Sequence, residues 1–195
     1  IAGLLRHYRD RKRERGLLDL DDLLIAWRAL VADPDVGARL RARWDWVLVD
    51  EYQDVNQLQV DIVRGLSPDG RGLTVVGDDA QAIYAFRGAS AGHLLELMEA
   101  YPDATLVRLE RNFRSTGPIL DLANQVRPGE LKLRLVADRP LPGARPTLVT
   151  CRNADDEART IADRILAAHV DGTPLRSQAV LMRTGSHSAQ LEVEL

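Results

Sequence analysis

The chain is poor in cysteine, lysine and aromatic residues, and it has no long apolar run. Its single cysteine, Cys151, excludes an internal disulfide and suits a reducing compartment. Histidine is equally sparse: His7, His93, His169 and His187 are too scattered for a local zinc motif. No apolar stretch approaches the ~18 residues that a membrane-crossing helix needs. The first fifteen residues carry six Lys/Arg and no apolar segment, so they do not read as a secretory leader. Together these features predict a cytoplasmic protein with no membrane partner. The formal net charge is −3, so any contact with nucleic acid has to come from a local patch. Of the 26 basic residues only Lys12 and Lys132 are lysines.

What is present is ordinary for a soluble globular chain: 45% hydrophobic and 28% charged residues. A length of 195 residues allows one large or two small domains. Leu4 to Arg15 reads as a basic helix ended by Gly16, and Asp19–Ala32 as a second helix capped by Asp19 and stopped by Asp33–Pro34. Strands are expected at Trp46–Val49, Leu73–Gly77, Thr105–Leu109, Thr147–Cys151 and Ala179–Met182. Helices are expected at Asn56–Leu66, Ala89–Tyr101, Ser115 to about Val126, Asp155–His169 and within the last ten residues. Lys132–Val136 alternates like a hairpin arm. Strands alternating with helices predict an α/β fold with mostly parallel sheets. The domain seam is expected near Pro102–Ala104.

Three stretches carry residues with chemical potential. In the first, the strand Val47-Leu48-Val49 runs into Asp50-Glu51-Tyr52-Gln53-Asp54. Ligands of open α/β sheets bind at the carboxyl ends of strands. An aspartate there can hold a Mg²⁺ that bridges phosphates, and a glutamate can orient or deprotonate water. The same residues also suit a strand that ends in a solvated acidic turn. The second stretch, Val75 to Ala89, brings Asp78, Asp79 and Gln81 to another strand end, followed by Tyr84, Phe86 and Arg87. Exposed, the two rings could stack on bases; buried, they are core. The third, Leu109 to Thr116, joins a strand to a helix N-terminus, where Arg114 could meet a phosphate and Phe113 a planar base, or where Ser115 simply caps the helix.

Order and spacing make the set more specific than its parts. Asp50 and Asp78 are 28 positions apart (78 − 50), and Gln81 and Arg114 are 33 apart (114 − 81). The pattern resembles superfamily 1A DNA helicases of the UvrD/Rep/PcrA type. VDEYQDVN looks like their motif II, VVGDDAQAIYAFRGA like motif III and LERNFRST like motif IV. DLDDLL resembles the return from the 1B subdomain, and the stretches after Cys151 and Ala179 resemble the second RecA-like domain.

The resemblance implies two partial RecA-like, P-loop NTPase-type domains. Residues 1–18 would end subdomain 1B, 19–103 would form the later half of domain 1A, and 104–195 the first part of 2A. It implies ATP and Mg²⁺ as cofactors, and single-stranded DNA and duplex junctions as partners. Asp50 and Glu51 would bind the metal, and Glu51 would activate water. Gln53 and Gln81 would sense the γ-phosphate, and Arg114 would be the arginine finger. Phe113 would pack on adenine. Tyr84 and Phe86 would stack on DNA bases, and Arg87 would link motif III to the nucleotide's acids or to DNA. Four positions depart from the family: Phe86 stands where tryptophan is usual and Phe113 where tyrosine is usual, each keeping a ring, and Ala80 and Ala82 replace the more usual aspartate and serine.

Neither lysine sits in a GxxxxGK[ST] loop, so the 195 residues contain no P-loop, and nothing in them resembles motifs V and VI. The expectation is an internal piece of a longer ATP-dependent 3′–5′ helicase, inactive by itself. A stand-alone remnant that binds nucleotide or DNA without catalysis, or a helicase-derived interaction domain, are the alternatives.

Overall fold

The computed structural model describes residues 2–128, 131, 133–138 and 143–194. By packing, the chain forms two compact units, Ile1–Gly143 and Ala144–Leu195.

The first unit begins with helix α1 (Ala2–Arg15), ended by Gly16 at φ +61°, a left-handed conformation that suits glycine. Helix α2 (Leu20–Ala32) opens on a capping box: Asp22 N donates to Asp19, and Asp19 N donates to the Asp22 side chain. Lys12 Nζ ties the two helices, lying 2.5 Å from both Asp19 and Asp22. That ammonium, chiefly through its hydrogen bond, holds the Asp19 carboxyl well below the usual carboxylate range. Asp33–Pro34 does end α2, but it also starts α3 (Pro34–Arg41), which sequence patterning does not anticipate. Asp33 Oδ1 accepts from Asp35 N at 3.0 Å and Val36 N at 2.8 Å, and Pro34 occupies the first turn, where its missing N–H costs nothing.

Strand β1 (Val47–Val49), helix α4 (Gln57–Leu66) and strand β2 (Leu73–Val75) form a βαβ unit with parallel pairing Val47↔Leu73, Leu48↔Thr74 and Val49↔Val75. Asn56 caps α4 with a second capping box. Tyr52, Val55, Val60 and Val63 form the core, packed by Val49, Leu73, Val75, Leu94 and Leu97. Leu94 and Leu97 come from α5 (Gly92–Ala100), so α4 and α5 both pack their apolar residues into this core. The two strands therefore run side by side, and their carboxyl ends deliver Asp50-Glu51 and Gly77-Asp78-Asp79 to adjacent positions.

A second parallel pair joins β3 (Arg111–Asn112) to β4 (Val136–Ala137) through helix α6 (Gly117–Val126). The ladder at Val136 is thus a crossover pairing, not a hairpin; Lys132, the expected start of that arm, lies outside the described residues. Helix α6 starts after Thr116 instead of at Ser115, because the Asn112 side chain takes the N–H groups of Arg114 and Ser115 at 2.9 and 2.7 Å. In the second unit, α7 (Ala154–Val170) is capped by Asn153, and α8 (Ser188–Glu194) packs on it, burying Ala158, Ala162 and Leu191.

Three expected strands are corrected. Thr105–Leu109, Thr147–Cys151 and Ala179–Met182 carry no ladder among the described residues. Alternating or apolar sequence favours an extended chain, but a strand also needs a neighbour to take its N–H and C=O groups. Leu148 and Leu181, 94% and 95% exposed, have no apolar surface against them. The α/β class and the parallel sense of both pairs agree with the sequence expectation.

Candidate nucleotide and nucleic-acid site

β1 ends at Val49, and the chain turns sharply through Asp50 and Glu51. Glu51 is the one non-glycine described residue with positive φ (52°, with ψ 44°). The left-handed conformation costs an ordinary residue roughly 1–2 kcal/mol, so the surroundings have to hold it. They do so from both sides. Asp50 Oδ1 accepts the Glu51 N–H at 2.9 Å, and Gln53 Nε2 donates to Glu51 Oε2 at 2.7 Å. Strain held in this way clusters at functional sites.

Gln53 is 1% exposed, and both ends of its amide are used inside the protein. Its Oε1 accepts the Asp78 N–H at 2.9 Å, which joins the end of β1 to the end of β2. Gly77 permits this approach: a Cβ there would lie 3.1 Å from Gln53 Oε1 and 3.4 Å from its backbone N. Gln53, expected on the γ-phosphate, is in this structure a buried brace between Glu51 and the turn at Asp78.

That turn is itself braced. Asp78 accepts from Ala80 N at 3.1 Å and from Gln81 Nε2 at 2.8 Å, and it pairs with the Arg127 guanidinium. Asp79, buried, accepts the Leu131 N–H at 3.0 Å. Sequence pattern offers no sign of Arg127 or Leu131 as partners, since they lie 49 and 52 positions away from these acids. Asp50, Glu51 and Gln81 remain exposed at the edge of the network.

Tyr84 immediately precedes, and Phe86 and Arg87 lie on, a single turn of 3-10 helix (Ala85–Arg87) closed by Gly88 at φ +80°. The segment is not extended, yet the turn brings the rings together, with centroids 5.9 Å apart and planes at 39°. The Arg87 guanidinium lies 5.6 Å from the Tyr84 ring and 5.8 Å from the Phe86 ring, pairing with the aromatics and with none of the acids among the described residues. Phe86 is 80% exposed and Tyr84 36%, so neither serves as core. A cation beside two rings open to solvent is the combination that single-strand binders use: flat faces for bases and charge for phosphates.

Arg114 and Phe113 leave β3 just ahead of α6. Phe113 is 75% exposed, with the Arg111 guanidinium 5.6 Å from its ring. Arg114 is exposed, and its side chain makes no hydrogen bond or ion pair among the described residues. The structure thus joins Glu51, Gln53, Asp78 and Gln81 in one network and groups Tyr84, Phe86 and Arg87 in another. It makes no contact between Arg114 and the acids. A hollow of about 580 Å³ in this unit is lined by Asp121, Asn124, Gln125, Arg127, Pro128, Leu133 and Arg134, and of these Arg127 is also the partner of Asp78.

The donor chemistry at Asp50 and Glu51 suits a hard cation. Mg²⁺ is usually held by one or two carboxylates together with waters and the substrate's phosphates. Two exposed carboxylates, each with one oxygen already engaged, fit that arrangement. A cage of three or more His, Cys, Asp or Glu is absent among the described residues.

Comparison with known proteins adds to this geometry. Residues 1–102 match the UvrD/REP helicase N-terminal domain, and residues 107–195 match the UvrD-like helicase C-terminal domain. The chain is 40% identical over 186 residues to the ATP-dependent DNA helicase UvrD2 of Mycobacterium tuberculosis, covering 92% of this chain and 26% of that protein. It is 35% identical over 192 residues to DNA helicase II of Salmonella typhimurium (96% of the chain, 26% of the relative). It is 33% identical over 192 residues to the putative ATP-dependent DNA helicase YjcD of Bacillus subtilis (95% and 25%). The chain therefore spans about a quarter of the length of the curated relatives it matches.

Proposed function

Because the chain belongs to the UvrD/Rep-type superfamily 1A helicases, we propose that it is the central part of an ATP-dependent 3′–5′ DNA helicase. Such a motor couples ATP hydrolysis to movement along single-stranded DNA and to unwinding at duplex junctions. In this proposal residues 1–18 end subdomain 1B, residues 19–103 form the later half of the first RecA-like domain, and residues 104–195 begin the second. The observation that carries the proposal is Glu51. It is held in a costly backbone conformation beside Asp50, braced by a buried glutamine, at the carboxyl edge of a parallel strand pair.

Asp50 and Glu51 would hold Mg²⁺ together with the phosphates of ATP, and the ion would offset phosphate charge. Glu51 orients the attacking water and accepts its proton. Gln53 keeps the Glu51 carboxylate in place, and Gln81 reports the γ-phosphate by exchanging Asp78 for a phosphate oxygen. Arg114 supplies the guanidinium that offsets charge developing in the transition state. Phe113 packs against the adenine. Tyr84 and Phe86 stack on successive bases of one strand, and Arg87 meets the DNA backbone. The P-loop lysine belongs to a part of the protein outside these 195 residues. Alone, the chain is a nucleotide- or DNA-binding module without turnover.

Single-strand binding by the 195-residue chain tests the aromatic part directly. Phe86→Ala is expected to weaken affinity for a fluorescent oligo-dT by about 1–3 kcal/mol, read by anisotropy. Since Phe86 is 80% exposed, thermal stability should stay within about 0.5 kcal/mol. Unchanged affinity would remove Phe86 from the DNA path.

A further inference from the structure

The Asp78 carboxylate serves three donors, one of which comes from far along the chain. Its Oδ2 accepts from Gln81 Nε2 at 2.8 Å, while its Oδ1 accepts from Ala80 N at 3.1 Å and pairs with the Arg127 guanidinium. Arg127 stands 49 positions away from Asp78. Chain punctuation sets its place. It ends α6 at φ −63° and ψ 116°, the extended conformation that Pro128 imposes by crowding the residue before it. Leu131 N donates to Asp79 at 3.0 Å, so the same segment is attached to the turn twice. The ion pair is largely withdrawn from water, with the Asp78 side chain 17% exposed and that of Arg127 12%. In such a place a carboxylate that loses its cation is left uncompensated, and it holds its remaining donors more tightly. Both residues lie in the first compact unit. Yet Asp78 falls in the stretch matched by the helicase N-terminal domain and Arg127 in the stretch matched by the C-terminal domain.

We propose that Arg127 is a positioning residue for Gln81 and thereby sets the preference for a nucleoside triphosphate over a diphosphate. The inference rests on the helicase reading, in which Gln81 exchanges Asp78 for an oxygen of the γ-phosphate. That exchange is a competition between two anions for one amide. Arg127 decides how strongly Asp78 competes. With the guanidinium in place, the carboxylate keeps a charged partner when Gln81 leaves. Arginine suits this task because it stays charged at every working pH. Without it, the departing amide leaves Asp78 with the Ala80 N–H in place of three donors, so Gln81 stays. An uncompensated carboxylate also places negative charge next to the amide that the phosphate approaches, and like charges repel. A diphosphate makes no demand on Gln81, so its binding does not depend on Arg127.

The test measures binding of Mg-ADP and of a non-hydrolysable Mg-ATP analogue to the complete protein, by displacement of a fluorescent ADP. Arg127→Gln should weaken the analogue by about tenfold, the worth of one hydrogen bond, and leave ADP close to the parent's affinity. Gln81→Ala should show the same selective loss. Adding Arg127→Gln to Gln81→Ala should change nothing further, because residues that act through one network are not additive. An Asp78→Asn/Arg127→Gln variant guards against loss of the fold, since it leaves no buried charge unpaired. A neutral amide at position 78 holds Gln81 more weakly than a carboxylate does, so this variant should return the ratio of the two affinities to near the parent's. Equal losses on ADP and the analogue, no loss on either, or a full Arg127 effect in the Gln81→Ala background overturns the proposal. So does an Asp78→Asn/Arg127→Gln variant that discriminates no better than Arg127→Gln. Failure of the helicase reading looks different: Gln81→Ala by itself would leave the two affinities in the parent's ratio.

Discussion

Glu51→Gln in the complete protein is expected to lower DNA-stimulated ATP hydrolysis by about 10²–10⁴-fold, the range associated with loss of a general base. Binding of Mg-ATP should persist. The geometry makes this a clean substitution. The Gln53 Nε2 that now donates to Glu51 Oε2 at 2.7 Å can donate equally to a glutamine side-chain oxygen. The Asp50 bond to the backbone N–H of residue 51 is independent of its side chain. Shape, brace and the left-handed turn are kept, while negative charge and proton affinity are lost. Rapid-quench measurement of phosphate release, set beside nucleotide binding by fluorescence, separates the two steps. Full turnover by the variant would mean that another residue activates water.

Arg114→Ala should reduce turnover by on the order of 10³ or more, as for arginine fingers generally. The side chain is exposed and unpaired among the described residues, so its removal should change stability by no more than about 0.5 kcal/mol. A loss of rate with an unchanged melting midpoint therefore reports on chemistry. Arg114→Lys should recover little, because an ammonium keeps the charge but not the planar fork. A near-normal rate in Arg114→Ala would place the guanidinium elsewhere.

Much of the local architecture is legible in residue order. Asp19 and Asn56 announce their helices because a capping side chain and its target lie three residues apart. Val47–Val49 and Leu73–Val75 are readable as strands because each is apolar and runs into acids at the edge where ligands bind. Asp33–Pro34 shows the limit of punctuation: the pair that ends one helix is also well suited to cap and start the next. Thr147–Cys151 and Ala179–Met182 show another limit, since strand propensity is realised only where a neighbouring strand completes the ladder. At the candidate site, sequence motifs identify Asp50, Glu51 and Gln81 but not the bracing beneath them. Gln53 turning inward, Asp78 pairing with Arg127 and Asp79 accepting from Leu131 are contacts across 25 to 52 positions, which no local pattern encodes.

ATP hydrolysis measured side by side on the complete protein and on the 195-residue chain, with and without single-stranded DNA, separates the possibilities most directly. A helicase built around Asp50, Glu51 and Arg114 hydrolyses ATP in a Mg²⁺-dependent reaction that single strands accelerate, while the 195-residue chain, lacking the P-loop lysine, releases no phosphate. Turnover by the pure short chain, or a complete protein whose hydrolysis ignores DNA, would contradict it.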